Sequence, residues 1–296
     1  MSERLDLLRP LLGRFSRKFS VLDLGSGVNI PTLGWEIAQE FDAVVVEVEK
    51  DWKPVESIGK STIVLKHEFT VADLAKLSEC EHFDVVIAFN FIHWFESGWH
   101  QAAEAILNMG DYVFVQIPTE ADSVDAPGYV YVEAMQGYFK DQCDWLGSTS
   151  QFPGHTPRPI YMHGNGVKRL TRTSLEAHDN SANIVIYSTH HDIQASFHHK
   201  TPREFRPWIP GTNLWNFCKL GGVVPSPAKI QEMLCSLVLP EKQHGDVQPW
   251  NMILDGERLH LIDEAPGKVH ESFDSDAEQL AATIRKVEEA LSGQAV

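Results

Sequence analysis

The chain is poor in features that mark several protein classes. Its four cysteines, Cys80, Cys143, Cys218 and Cys235, lie far apart with no CxxC pair. That excludes a zinc ribbon or a dithiol redox motif and fits reduced thiols. No apolar run approaches the roughly 18 residues a membrane span needs. Basic residues are scarce: 25 Lys and Arg face 41 Asp and Glu, a net charge of −16 that would repel a polyanion, so nucleic acid is a poor partner. Internal repeats and low-complexity linkers are absent. The opening stretch MSERLDLLRPLLGRF reads as an amphipathic helix rather than a signal peptide, and a soluble, cytoplasmic protein is the expectation.

What is present is 296 residues with 43% apolar content, enough for two ordinary domains with cores. From Phe19 to about Pro118, β-branched runs (FSVLDL, AVVVEVE, STIVLKH, FDVVIAFNF, DYVFVQIP) alternate with helical stretches such as IPTLGWEIAQEF and WHQAAEAILNM. Continuous apolar runs separated by helices are what a parallel sheet covered on both faces requires. The expectation is a doubly wound, Rossmann-like α/β domain over residues 1–165. A helix is expected over VYVEAMQGYFKDQCDWLG, and a hairpin around Gly164-Asn165-Gly166 marks the boundary. Over residues 166–296 a smaller α+β module is expected. It would hold a strand in SANIVIYSTHH, an irregular aromatic stretch REFRPWIPGTNLWNF, a Ser226-capped helix in SPAKIQEMLCSLVL, and a helix over DAEQLAATIRKVEEALS.

VLDLGSGVN, residues 21–29, is a strand ending in Asp-x-Gly-x-Gly that runs into a helix. Such a turn lets a ligand lie against bare backbone at a helix N-terminus. Glu47 and Glu49 follow Asp23 by 24 and 26 residues, at the end of the next strand. A carboxylate there can accept the ribose hydroxyls of a nucleoside, and of the two, sharing one face of a strand, Glu47 is preferred. These segments, with FDVVIAFNFIHWF as fourth strand and loop, resemble the class I S-adenosylmethionine-dependent methyltransferases over roughly residues 15–165. The chain departs from that pattern at Asn29, where a third glycine is common; Asn tolerates left-handed backbone. A dinucleotide site is disfavoured because GxGxxG is absent. The resemblance implies S-adenosylmethionine as cofactor and places Glu68 or Asp73 near the adenine, Asp73 being equally readable as the end of a T-x-x-D capping box. It also puts Asn90 and His93 at the carboxyl end of the fourth strand, with His93 as a candidate base or a pocket-wall residue.

The string HGDVQPWN, followed by a short strand ending LID, supplies Asp246, Asn251 and Asp263 in order. Phosphoryl transfer needs a carboxylate by the attacking hydroxyl and two metal-holding groups. The pattern resembles the aminoglycoside-phosphotransferase-like kinases, which implies Asp246 as catalytic aspartate, Asn251 and Asp263 as metal ligands, and Mg2+ with ATP. The bland alternative has Asp246 and Asn251 bonding the turn around Pro249. The kinase lobe is reduced: there is no GxGxxGxV loop, Glu264-Ala265 replaces Phe-Gly, and Lys168 and Lys200 are unpartnered candidates for the phosphate-holding lysine. A methyltransferase followed by a kinase is similar to the bifunctional enzymes that cap O-antigen polysaccharides.

Paired histidines at His190-His191 and His198-His199 beside Asp192 lack regular ligand spacing and read as exposed or strand-edge residues. Trp208, Trp215 and Phe217 suggest a packed seam between the two halves. The functional expectation is methyl transfer to a small-molecule or glycan-type acceptor, phosphorylated in one version. The alternatives are a metal- and ATP-dependent phosphotransferase and a non-enzymatic binding protein with both sites degenerate.

Overall fold

The computed structural model describes residues 3–28, 31–54, 59, 61–120, 122, 127–150, 156–164, 184–188, 193–198, 201–206, 209–241, 243–262 and 273–293. The first half runs α1 (Glu3–Leu12), β1 (Phe19–Leu24), α2 (Leu33–Glu40), β2 (Ala43–Val48), β3 (Thr62–Leu65), α3 (Val71–Cys80), β4 (Phe83–Phe89), α4 (Trp99–Asn108), β5 (Gly110–Gln116), α5 (Val132–Gln142), β6 (Asp144–Thr149) and β7 (Arg158–Gly164). Beyond it lie β8 (Ile184–Ser188), β9 (Ile193–His198), β10 (Thr201–Arg206), β11 (Thr212–Asn213), α6 (Leu214–Lys219), β12 (Gly222–Val224), α7 (Pro227–Cys235), β13 (Met252–Leu254), β14 (Leu259–Leu261) and α8 (Asp276–Ser292).

An eight-stranded sheet in the order β12-β3-β2-β1-β4-β5-β7-β6 organises the chain. Strands β1 to β5 pair in parallel, while β7 lies antiparallel to both β5 and β6. Every residue of β1, β2 and β4 is buried, as the continuous apolar runs require. Successive side chains point to opposite faces. Val21, Val45 and Ile87 pack with Leu5, Leu8 and Leu12 of α1 and Ile37 of α2. Leu22, Val46 and Val86 pack with α3, α4 and α5 on the other face. This is a doubly wound, Rossmann-like sheet, and the chain leaves β1 and β4 towards opposite edges, which opens a crevice at their carboxyl ends.

The second half shares that core. Leu214, Phe217, Ile230, Leu234, Val287 and Leu291 belong to the same buried cluster as α3 and α4, and β12 extends the sheet by pairing with β3. One buried carboxylate stitches the halves together: Glu81 Oε1 accepts from Thr212 Oγ1 (2.9 Å), Asn213 N (2.8 Å) and Asn216 Nδ2 (2.9 Å). Trp215 and Phe217 are buried here, as a packed seam demands. Three local expectations are corrected. The helix over 130–147 stops at Gln142, where Cys143 turns extended, and β6 follows. REFRPWIPGTNLWNF is not irregular throughout: it contains part of β10, then β11 and most of α6, the last capped by Asn213. The fourth strand, read over FDVVIAFNF with IHWF in its loop, ends at Phe89, and that loop enters a 3-10 turn over Ile92–Gly98. The turn beyond Gly164 falls outside the described residues, as do Lys168, His190, His191, Asp192, His199, Lys200 and Trp208.

Removing Glu81 strands three buried donors. Glu81→Ala is expected to cost about 2–4 kcal/mol in urea unfolding, with Glu81→Gln, which keeps the accepting oxygen, losing clearly less.

Candidate functional site

At the end of β1 the chain turns through Gly25 (φ +69°) and Gly27 (φ +86°), left-handed conformations that glycine adopts without strain. The N–H groups of Gly25 and Ser26 both donate to Val48 O at the end of β2, at 2.9 and 3.3 Å. A Cβ on Gly25 would stand 2.9 Å from the Phe91 ring. Glu49, the first residue past β2, finishes the turn: Oε2 accepts from Gly27 N (3.0 Å) and Oε1 from Asp51 N (3.0 Å).

Asp23 and Glu47 lie directly opposite each other on β1 and β2, both buried beneath the start of α2. Gly34 N donates to Asp23 Oδ2 (3.2 Å), and Thr32 Oγ1, which also caps α2, donates to Glu47 Oε1 (2.5 Å). Gly34 is needed for this approach, since a Cβ there would meet Glu47 Oε1 at 2.6 Å. Burial, and secondarily the charge of Glu47, pushes the Asp23 carboxyl up to about 8; burial raises Glu47 as well.

These elements form one side of a cavity of about 1260 Å³ at the carboxyl edge of the sheet. Of the residues expected from the sequence to bind a cofactor, Asp23, Gly25, Gly27, Glu49, Glu68 and Asn90 line it. Three expected residues do not. Glu47, the preferred residue, sits behind the wall under Thr32, and Glu49 lines the cavity instead. Asp73 is spent on a capping box, its carboxylate accepting from Thr70 N (2.9 Å) and Thr70 Oγ1 (2.7 Å). His93 is buried one residue away from the wall, against the rings of Trp94 and Tyr129. Burial and then the nearby Arg158 charge press its imidazole down to about 4, so it is neutral at neutral pH, with Nδ1 unpartnered.

The lining is rich in acid: Glu3, Asp23, Glu36, Glu49, Asp51 and Glu68 against Arg4 and Lys50, with Lys50 tied to Glu68 at 2.9 Å. Among the described residues, three of the buried polar atoms lacking a hydrogen bond lie on this wall: Arg4 Nε, Ser26 Oγ and His67 Nε2. His67 Nε2 is 3.6 Å from Asp73 Oδ2, beyond hydrogen-bond reach.

Sequence reading missed an amide and arginine network at the ends of β4 and β5. Asn90 adopts φ +54°; its Nδ2 donates to Gln116 Oε1 (3.2 Å), and its Oδ1 accepts from Arg158 Nη1 (2.6 Å). Arg158 grips Asp122 through Nε (3.1 Å) and Nη2 (3.2 Å) and donates to the Tyr129 hydroxyl (3.2 Å). Against the burial that would raise it, the Thr119 N–H and Arg158 hold Asp122 below the usual carboxylate range. No local motif announces these contacts, which join residues 36 and 68 positions apart.

In the C-terminal half, Asn251 Nδ2 donates to Asp246 Oδ2 (2.7 Å) and to Asp246 O (3.1 Å), the turn-bonding arrangement around Pro249. Helix α8 straps the loop: Asp276 accepts from His244 N and Gly245 N, Gln279 Oε1 from Val247 N, and Thr283 Oγ1 donates to Val247 O. Asp263 and Asn29 lie outside the described residues. Ile262 N donates to Asn251 O (2.9 Å).

Because Asp23 titrates above its ordinary 3.8 in the folded chain, the native state keeps a proton that the unfolded state has shed between about pH 4 and 8. Stability falls across that window. Asp23→Asn, which keeps an oxygen for Gly34, is expected to raise the melting temperature by several degrees near pH 8 and hardly at all near pH 4, read by calorimetry at both.

No protein-family model and no curated protein matches the chain. Among solved structures it is similar to the bifunctional kinase-methyltransferase WbdD, at 13% identity and a TM-score of 0.43 over 96% of this chain and 80% of that one. It is also similar to magnesium protoporphyrin IX methyltransferase (ChlM) from Synechocystis PCC 6803 with bound SAM, at 15% identity and a TM-score of 0.38 over 54% of this chain and 77% of the other. A third is the N-methyltransferase NodS from Bradyrhizobium japonicum WM9, at 12% identity and 0.38 over 54% and 92%.

Proposed function

We propose that this chain is an S-adenosylmethionine-dependent methyltransferase acting on a small-molecule or glycan-type acceptor. The carrying observation is the cavity wall: a left-handed glycine turn at the switch point of the sheet, Glu49 at the end of β2, and an acid-rich lining around both. A sulfonium nucleoside brings a positive charge and ribose hydroxyls, and carboxylates suit both. The polyphosphate of a dinucleotide would meet repulsion there. The unpartnered Ser26 Oγ on the same wall is a polar atom that such a ligand would satisfy.

In this reading Glu49 accepts the ribose hydroxyls, Gly25 and Gly27 admit the ligand to the backbone, and Glu68 with His67 and Phe69 faces the base. Asp23 and Glu47 support the turn from below. When bound, the cofactor supplies an electrophilic methyl group on sulfur. The chain's own work is alignment of the acceptor. Asn90, fixed by Gln116 and Arg158, orients it, and Trp94, 63% exposed with its N–H held by Asn90 O, gives it an apolar rim. His93, uncharged and set behind the cavity wall, is not the base in this reading, since a base works best with a pKa near the operating pH.

The second reading, a phosphotransferase using Asp246, Asn251 and Asp263 with Mg2+ and ATP, draws on the order of these residues in the sequence and on the hydrogen bond from Ile262 N to Asn251 O. The Asn251 amide is turned onto Asp246. A purely binding role for the chain would keep the cavity and lack turnover. No helix among the described residues is long and apolar enough to cross a membrane.

Calorimetric titration separates these readings. S-adenosylmethionine and S-adenosylhomocysteine are expected to bind, Glu49→Ala to weaken the latter by roughly 10- to 100-fold, and Asp246→Ala to leave it unchanged. Binding of ATP with magnesium, without either sulfur nucleoside, would replace this reading by the phosphotransferase.

A further inference from the structure

Helix α1 brings a guanidinium onto the cavity wall in an unusual state. Arg4 is mostly buried, its carbon Cζ lying 5.3 Å from the centre of the Phe89 ring. Nη2 donates to Gln116 Oε1 at 2.6 Å, and Nε is buried with no partner. Gln116 is itself fully buried and fully used, its amide nitrogen donating to Thr149 Oγ1 and Thr149 O, so it fixes Arg4 rather than following it. Among the described residues no carboxylate stands within ion-pair distance of Arg4; the acidic charge that acts on it is Asp23, which burial keeps largely protonated. The neighbouring cation, Arg158, has its own charge answered by Asp122 and adds to the positive field at Arg4.

A desolvated cation without an anion is costly, and its guanidinium presents planar donors suited to two oxygens. Ser26 Oγ, on the same wall in the turn that begins two residues after Asp23, is also buried and unpartnered. We propose that Arg4, positioned by Gln116 and joined by Ser26, is an oxyanion subsite of the cavity, built for a carboxylate or a group of like shape. Two ligands could bring that group: the amino-acid carboxylate of the cofactor, or an anionic group on the acceptor. The first source rests on the methyltransferase reading; the second does not.

The test titrates wild type, Arg4→Met and Arg4→Lys with S-adenosylhomocysteine, which carries the carboxylate, and with 5′-methylthioadenosine, which lacks it. Inorganic phosphate is added separately as a probe, read by thermal shift. Loss of roughly tenfold or more for S-adenosylhomocysteine in Arg4→Met, partly restored in Arg4→Lys, with methylthioadenosine unchanged, assigns the subsite to the cofactor. Unchanged binding of both nucleosides with loss of phosphate stabilisation in Arg4→Met assigns it to an anionic acceptor. No change in any ligand overturns the proposal, and so does equal loss of both nucleosides in both variants, which would make Arg4 a packing residue of α1. A wild-type chain that binds neither nucleoside would sink the methyltransferase reading while the phosphate arm still judged Arg4.

Discussion

Two carboxylates buried side by side at the ends of adjacent parallel strands are an expense that a fold keeps only under tight support. Here Asp23 and Glu47 face each other across β1 and β2, and α2 starts directly above them, with Thr32 and Gly34 each giving one hydrogen bond downward. The rest of the site follows from that stack. Gly34 must lack a Cβ for α2 to settle this low, and the short link from β1 to α2 must turn through left-handed glycines. The turn rests on Val48 O and Glu49, so β2 holds it from beside while Asp23 and Glu47 hold it from beneath. What stands clear above it is a cradle of backbone whose wall is negative.

The cavity gains its asymmetry from the far side. On the β1–β2 side the wall offers carboxylates; on the far side it offers the Asn90 amide and the Arg4 guanidinium, both held from behind by Gln116, with Arg158 also bonded to Asn90. A molecule with a cationic centre, hydroxyls at one end and an anionic group at the other matches both sides at once. Asn90 accepts a left-handed backbone at the junction, the kind of local strain that gathers where a fold is shaped for a ligand.

Strands β1 to β5 were legible because both faces are covered, so their sequences are continuous apolar runs whose ends coincide with the described strands to within a few residues. The glycine turn was legible because it is local. Choosing between Glu47 and Glu49 was not: i and i+2 share a face only while the strand lasts, and β2 ends at Val48, which frees Glu49 to swing over Gly27. Asp73 shows the opposite lesson, a carboxylate in a binding position by sequence that its own helix consumes. Arg4 and Arg158 carry no motif at all, and Arg4 meets Gln116 across 112 residues, a contact that only the folded sheet defines. In the C-terminal half both the ordered trio and its bland alternative, Asp246 and Asn251 bonding the turn around Pro249, could be read, and the described hydrogen bonds are those of the turn.

The Glu81 junction also sets a timetable. Its three donors are encoded 131, 132 and 135 residues later, and β12, which covers the edge of β3, follows them. At a synthesis rate of about 5–20 residues per second, a nascent chain holds Glu81 in water and the β3 edge open for on the order of ten seconds. During that interval the first half is a sheet with an unguarded margin. A growing chain of this kind leans on whatever shields that margin until its own later residues arrive to close it.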